Sequence, residues 1–189
     1  QNIVAQGLTA LGVIAAFTLV NVRGLKEMSV AQIVLTVLKI VPLLIIMGAG
    51  LVFGAPHNLP PLNPSHAPLL PALTAVTLIT LWPFTGFEAA VSSAGAVRDP
   101  ERTIPRALTA AVLLVTVIYL GASFAVMLLV PSAQLAHSEA PFADAARALG
   151  GWGPPFIALG ALIATAGTLN GVIFASGQMP MAVAEDGRA

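Results

Sequence analysis

Long stretches without a charged residue constrain the fold of this chain more than any other feature. They cover residues 1–22, 40–87, 107–138 and 148–184. A helix needs about 20 mostly apolar residues to cross a bilayer, so the longer stretches contain loops as well as spans. Only 8% of the residues are charged, against about 25% in a soluble domain. The sequence therefore predicts an all-α membrane protein in a lipid bilayer and excludes a soluble enzyme or a basic nucleic-acid binder.

Proline and glycine divide these stretches into five predicted helices of one transmembrane domain, residues 1–189. We predict the helices at residues 1–22, 29–53, 70–97, 106–130 and 153–182, with the third broken near 82–86. Leaving Lys39 aside, six basic residues then fall between or at the ends of the spans on one side of the membrane, and one falls on the other. The positive-inside rule places the richer side in the cytoplasm.

Several sequence signals are missing. The chain has no cysteine, and it lacks the His-Glu-x-x-His and Gly-x-Ser-x-Gly motifs, so we expect no metal site, no cofactor and no enzyme activity. It begins at Gln1 and shows no signal peptide. We therefore expect an internal piece of a longer, multi-pass protein of the cell (inner) membrane.

The third predicted helix contains the segment Trp82-Pro83-Phe84-Thr85-Gly86. Pro83 removes a backbone donor and Gly86 relaxes the chain, so the helix is expected to break there. The break lies about 15–18 Å from either helix end, near the bilayer midplane. Broken helices at this depth build substrate sites in many secondary transporters. The alternative is a simple proline kink, healed by neighbouring helices, in a structural or channel-like membrane subunit.

Two ionisable residues are predicted at mid-membrane depth, where a charge is costly. Glu88 follows Gly86 by two residues, and Lys39 lies 11 residues after Met28, which is about 16 Å along a helix. Both are candidates for gating or proton coupling. The alternatives are an interhelical hydrogen bond from a protonated Glu88 and a permanent Lys39–Glu88 ion pair that only fixes helix packing.

The fifth predicted helix carries the sequence Gly167-Thr168-Leu169-Asn170-Gly171. Two small residues at this spacing are typical of closely packed membrane helices. Thr168 and Asn170 add polar groups that could either line a cavity or form hydrogen bonds between helices.

Two motifs together are similar to the sixth helix and following loop of amino acid permeases. They are residues 81–88, Leu-Trp-Pro-Phe-Thr-Gly-Phe-Glu, and residues 98–106, Arg-Asp-Pro-Glu-Arg-Thr-Ile-Pro-Arg. Residues 23–27, 38–43 and 140–147 resemble other segments of the same family, in the same order. The chain thus resembles the amino acid–polyamine–organocation superfamily over essentially its whole length.

The resemblance implies a fold of two inverted five-helix repeats, of which this chain would hold helices four to eight. It implies a substrate site at Trp82, Pro83, Phe84, Thr85 and Gly86, with Trp82 as an aromatic gate, and we add Asn170 to these substrate-binding candidates. It further implies gating or proton-coupling roles for three residues, Glu88, Lys39 and Thr168.

The predicted function is secondary transport of a small molecule, an amino acid or related amine, by alternating access. Ala96 stands where many family members carry an acid, which favours the antiporter branch. Lys39 is similar to a lysine of proton-coupled members, which favours protons as the coupling ion. Proton-coupled uptake and amino acid or polyamine exchange therefore both stay open.

Overall fold

The computed structural model describes residues 3–22, 24–61, 68–81, 86, 95 and 97–185. Helices account for all of the regular secondary structure of these residues, and no strand occurs among them. The predicted all-α class is therefore confirmed.

Seven α-helices follow one another along the described chain. They are α1 (Ile3–Val22), α2 (Leu25–Phe53), α3 (Leu69–Leu81), α4 (Pro100–Leu129), α5 (Ser132–Leu135), α6 (Pro141–Ala146) and α7 (Gly153–Glu185), with short 3-10 helices at Pro56–Asn58 and Arg147–Leu149. In the part of the chain that the structure describes, four helices (α1, α2, α4 and α7) are long and apolar enough to cross a membrane.

Helix α4 begins at Pro100, six residues before the predicted start at residue 106. Proline suits the first position of a helix because its fixed φ is helical and no N–H is needed there. Asp99 precedes it with φ 50° and ψ 61°, and the Asp99 carbonyl accepts a hydrogen bond from Thr103 N–H at 2.9 Å. Pro105, which suggested a connector, lies in the second turn at the cost of one backbone hydrogen bond.

Helix α3 is described over 13 residues, Leu69–Leu81. The predicted break begins one residue after its end, and Trp82, Pro83, Phe84, Thr85 and Glu88 lie outside the described residues.

The chain divides into two compact units. The first comprises Gln1–Pro42 and Phe156–Ala189, and the second comprises Leu43–Pro155. In the second unit, α2 approaches α4 so closely that a Cβ placed on Gly50 would lie 2.5 Å from the Ala125 Cβ. Beyond the end of α2, the Asn58 side chain donates to the Leu128 carbonyl at 2.8 Å. These contacts fix the end of α2 against α4.

Candidate functional site

Gly86 is the one residue of the predicted broken segment that the structure describes. It lies in a turn with φ 99°, a backbone conformation that glycine adopts readily and other residues rarely do. A Cβ at this position would meet no heavy atom within 4 Å. The backbone angle, rather than crowding, therefore explains the need for glycine at this position, and the backbone at Gly86 is not helical.

Asn170, a predicted substrate-binding residue, is fully buried within the first unit, with 0% of its surface exposed. Its Nδ2 donates to Gln32 Oε1 of α2 at 2.8 Å, and its Oδ1 accepts from Asn21 Nδ2 of α1 at 3.0 Å. We call Asn21, Gln32 and Asn170 the amide cluster. It joins three helices through two interhelical hydrogen bonds.

Sequence reasoning missed Asn21 and Gln32 as members of this site. A signal was present, because each is an amide residue in a largely apolar helix, and polar groups buried between membrane helices need hydrogen-bond partners. Asn21 Nδ2 also donates to the Phe17 carbonyl at 2.8 Å. Its Oδ1 is buried and has no hydrogen-bond partner within the described structure.

Helices α2 and α7 pack closely at glycines of α7. A Cβ on Gly160 would lie 2.5 Å from Pro42 Cγ, and one on Gly167 would lie 3.3 Å from Leu35 Cβ. From Gly160 to Gly167 the residue numbers increase along α7, whereas those of the contacted residues on α2 decrease. The two helices therefore run antiparallel. The close packing predicted for Gly167 is present.

Lys39 lies on the face of α2 that contacts α7. Positions 32, 35, 39 and 42 follow the three-and-four spacing of one helix face, and Gln32, Leu35 and Pro42 each contact α7 or lie against one of its glycines. Lys39 is partly buried. Neither α1 over residues 4–22 nor α7 over residues 153–177 carries a charged residue. An acidic partner for Lys39 would thus lie outside these two stretches.

Thr168 is exposed on α7, and its hydroxyl donates to the Ala164 carbonyl of its own helix at 3.0 Å. Of the two polar residues singled out in α7, Asn170 therefore forms hydrogen bonds with other helices, whereas the Thr168 hydroxyl bonds within α7.

The packed helices and the polar groups buried between them define a multi-pass membrane protein. The model of the amino acid permease family matches residues 1–188, so the chain belongs to that family. It is 28% identical to the cadaverine/lysine antiporter of Escherichia coli (strain K12), over 97% of this chain and 42% of the antiporter. It is also 28% identical to the serine/threonine exchanger SteT of Bacillus subtilis (strain 168), over 93% of this chain and 40% of the exchanger.

The chain spans about two fifths of the length of the curated relatives that it matches. The family and these relatives are transporters rather than enzymes. Together with the membrane-length helices, they support a multi-pass protein of the inner membrane.

Proposed function

We propose that this chain forms the central spans of a secondary transporter that exchanges amino acids or related amines by alternating access. The match of the permease family to residues 1–188 carries this proposal. Both relatives described above are exchangers by name, one of lysine and cadaverine and one of serine and threonine. This favours exchange over one-way uptake. It also supports a substrate that is a small molecule with an amino group.

The proposed substrate site is the segment from Trp82 to Gly86. Backbone carbonyls freed by a helix break accept hydrogen bonds from a substrate ammonium group, which amino acids and diamines share. The aromatic side chain of Trp82 covers the bound ammonium from one side. The positive φ of Gly86 supports a break at this end of the segment, because this backbone conformation is not helical.

The proposed coupling site is Lys39, with Glu88 as the acidic gate. A charge that can be gained or lost at mid-membrane depth biases the balance of inward-facing and outward-facing states. The place of Lys39 on the face of α2 that contacts α7 supports this role, because movement between these helices would change its surroundings. Thr168 of α7 is the third residue proposed for gating or proton coupling. It follows Gly167, which lies against Leu35 of α2.

Counterflow in liposomes tests the carrier function. The full-length protein, reconstituted in vesicles, should accumulate labelled lysine or serine only when the vesicles contain unlabelled substrate. A channel would instead equilibrate the label whether or not internal substrate is present. If accumulation of the label does not depend on internal lysine, cadaverine, serine or threonine, the proposed exchange is contradicted.

Replacing Trp82 by alanine should weaken substrate affinity in the same assay by about 30-fold, since a desolvated cation–π contact contributes about 2 kcal/mol. The chain's other tryptophan, Trp152, provides the matched control. It lies in the turn before α7 with 55% of its surface exposed, so Trp152→Ala should retain the wild-type affinity. Wild-type affinity in Trp82→Ala would exclude the proposed gate.

A further inference from the structure

The amide cluster is a directional contact in otherwise apolar surroundings. Asn170 is fully buried, and it is bonded to Gln32 of α2 and to Asn21 of α1. Amide hydrogen bonds form over a narrow range of distance and angle. Sliding α2 by one residue along α7 would move Gln32 by about 1.5 Å and rotate it by about 100°. The buried amide of Asn170 would then lose this partner, which is unfavourable in an apolar interior.

The glycine contacts lack this directional preference. Gly160 against Pro42 and Gly167 against Leu35 are van der Waals contacts between small or apolar groups, and such surfaces tolerate small rotations and shifts. The glycines therefore allow α2 and α7 to approach, while the amide bonds select one register among those that close approach permits.

Lys39 lies within the stretch of α2 whose position this register determines. It is one turn from Leu35 and three residues from Pro42 on the same face of α2. The two other helices of the amide cluster carry no charged residue over residues 4–22 of α1 and 153–177 of α7. On α2 itself, the nearest charged residues are Lys26 and Glu27, at least 12 positions away. The surroundings of Lys39 thus depend on helix packing rather than on an ion pair with these stretches of α1 and α7.

We propose that the amide cluster is a positioning element that sets the register of α2 against α7 and thereby places Lys39. Asn170 acts through helix packing, in place of the substrate contact predicted from the sequence. The link between the amide cluster and transport rests on the proposed coupling role of Lys39. The proposal that the cluster sets the register of α2 against α7 does not depend on that role.

A disulfide between positions 35 and 167 measures the register directly. A Cβ added to Gly167 would lie 3.3 Å from the Leu35 Cβ, just below the separation of about 3.5–4.5 Å found in disulfides, so a small shift brings two cysteines into range. Leu35→Cys and Gly167→Cys are introduced together into the full-length protein, with any other cysteines replaced. The rate of disulfide formation under mild oxidation is then measured in membranes.

Asn170→Leu removes both interhelical bonds and should slow disulfide formation at least about threefold, the factor that corresponds to one average bond of this kind in a membrane. Gln32→Leu should also slow it, which provides a second variant if Asn170→Leu fails to fold. The matched control is Thr165→Val, because the Thr165 hydroxyl donates within α7, to the Ala161 carbonyl. An unchanged rate in the folded cluster variants would overturn the positioning role.

The pH dependence of exchange tests the link to Lys39 in proteins without the added cysteines. Asn170→Leu and Gln32→Leu should move the midpoint of the pH profile, and neither should have this effect in a Lys39→Ala background. If Lys39→Ala itself leaves the profile unchanged, the proposed coupling role fails, while the disulfide rates still decide the register. If Lys39→Ala abolishes the pH dependence but the cluster variants do not alter it, the link to Lys39 is wrong.

Discussion

Gly86→Ala is expected to reduce the initial rate of exchange at least fivefold. The backbone at Gly86 has φ 99°, and a side chain held in such a conformation costs about 1–3 kcal/mol. Alanine therefore penalises the turn and favours a continuous helix through this position. Since no neighbouring atom lies within 4 Å of the added Cβ, the loss would arise from the backbone conformation and not from a steric clash.

Gly48→Ala is the matched control for this substitution. Gly48 lies inside α2, and its added Cβ also has no heavy atom within 4 Å. Alanine in a helix interior is favoured over glycine by about 0.5–1 kcal/mol, so this variant should transport normally. Exchange rates are compared after correction for the amount of protein in the vesicles. Equal rates in Gly86→Ala and Gly48→Ala would show that transport does not need the turn at Gly86.

Lys39→Ala is expected to abolish the dependence of exchange on pH. A charged group at mid-membrane depth costs about 2.5–3.5 kcal/mol, so gain or loss of this charge can alter the balance between transporter states by about 100-fold. Alanine removes the titratable group and with it this effect. The measurement is the exchange rate across a pH series with equal pH on both sides of the vesicle membrane.

Lys26→Ala provides a control for the loss of a positive charge from the same helix. Lys26 is exposed in the first turn of α2, so its replacement should leave the pH profile unchanged. A wild-type profile in Lys39→Ala would exclude Lys39 as the coupling residue. Glu88 would then be the remaining proposed candidate, and Glu88→Gln would test it.

The helical class and the membrane location could be predicted because both follow from local sequence. Uncharged stretches of sufficient length leave few alternatives to a membrane helix. The start of α4 was harder to predict, because Pro100 and Pro105 both fit a connector. The structure shows that Pro100 begins the helix and that Pro105 is accommodated inside it.

The partners of Asn170 could not be predicted because they depend on which helices touch. Asn21 and Gln32 are 149 and 138 positions away from Asn170 in the chain, and no local pattern links residues so distant. The close approach at Gly167 was predictable from the spacing of small residues, but its neighbour Leu35 was not. The sequence left two roles open for Asn170, in a cavity or in hydrogen bonds between helices, and its observed contacts favour the second.

Water access at Thr85 tests the central claim, a hydrated substrate site in the third span, most directly. Thr85→Cys in a full-length protein without other cysteines should react with a water-soluble thiol reagent, and saturating substrate should slow the reaction. Leu78→Cys, in the apolar helix α3 one turn before its last residue Leu81, should stay unreactive. Failure of Thr85→Cys to react, or a rate that substrate leaves unchanged, would contradict the proposed site.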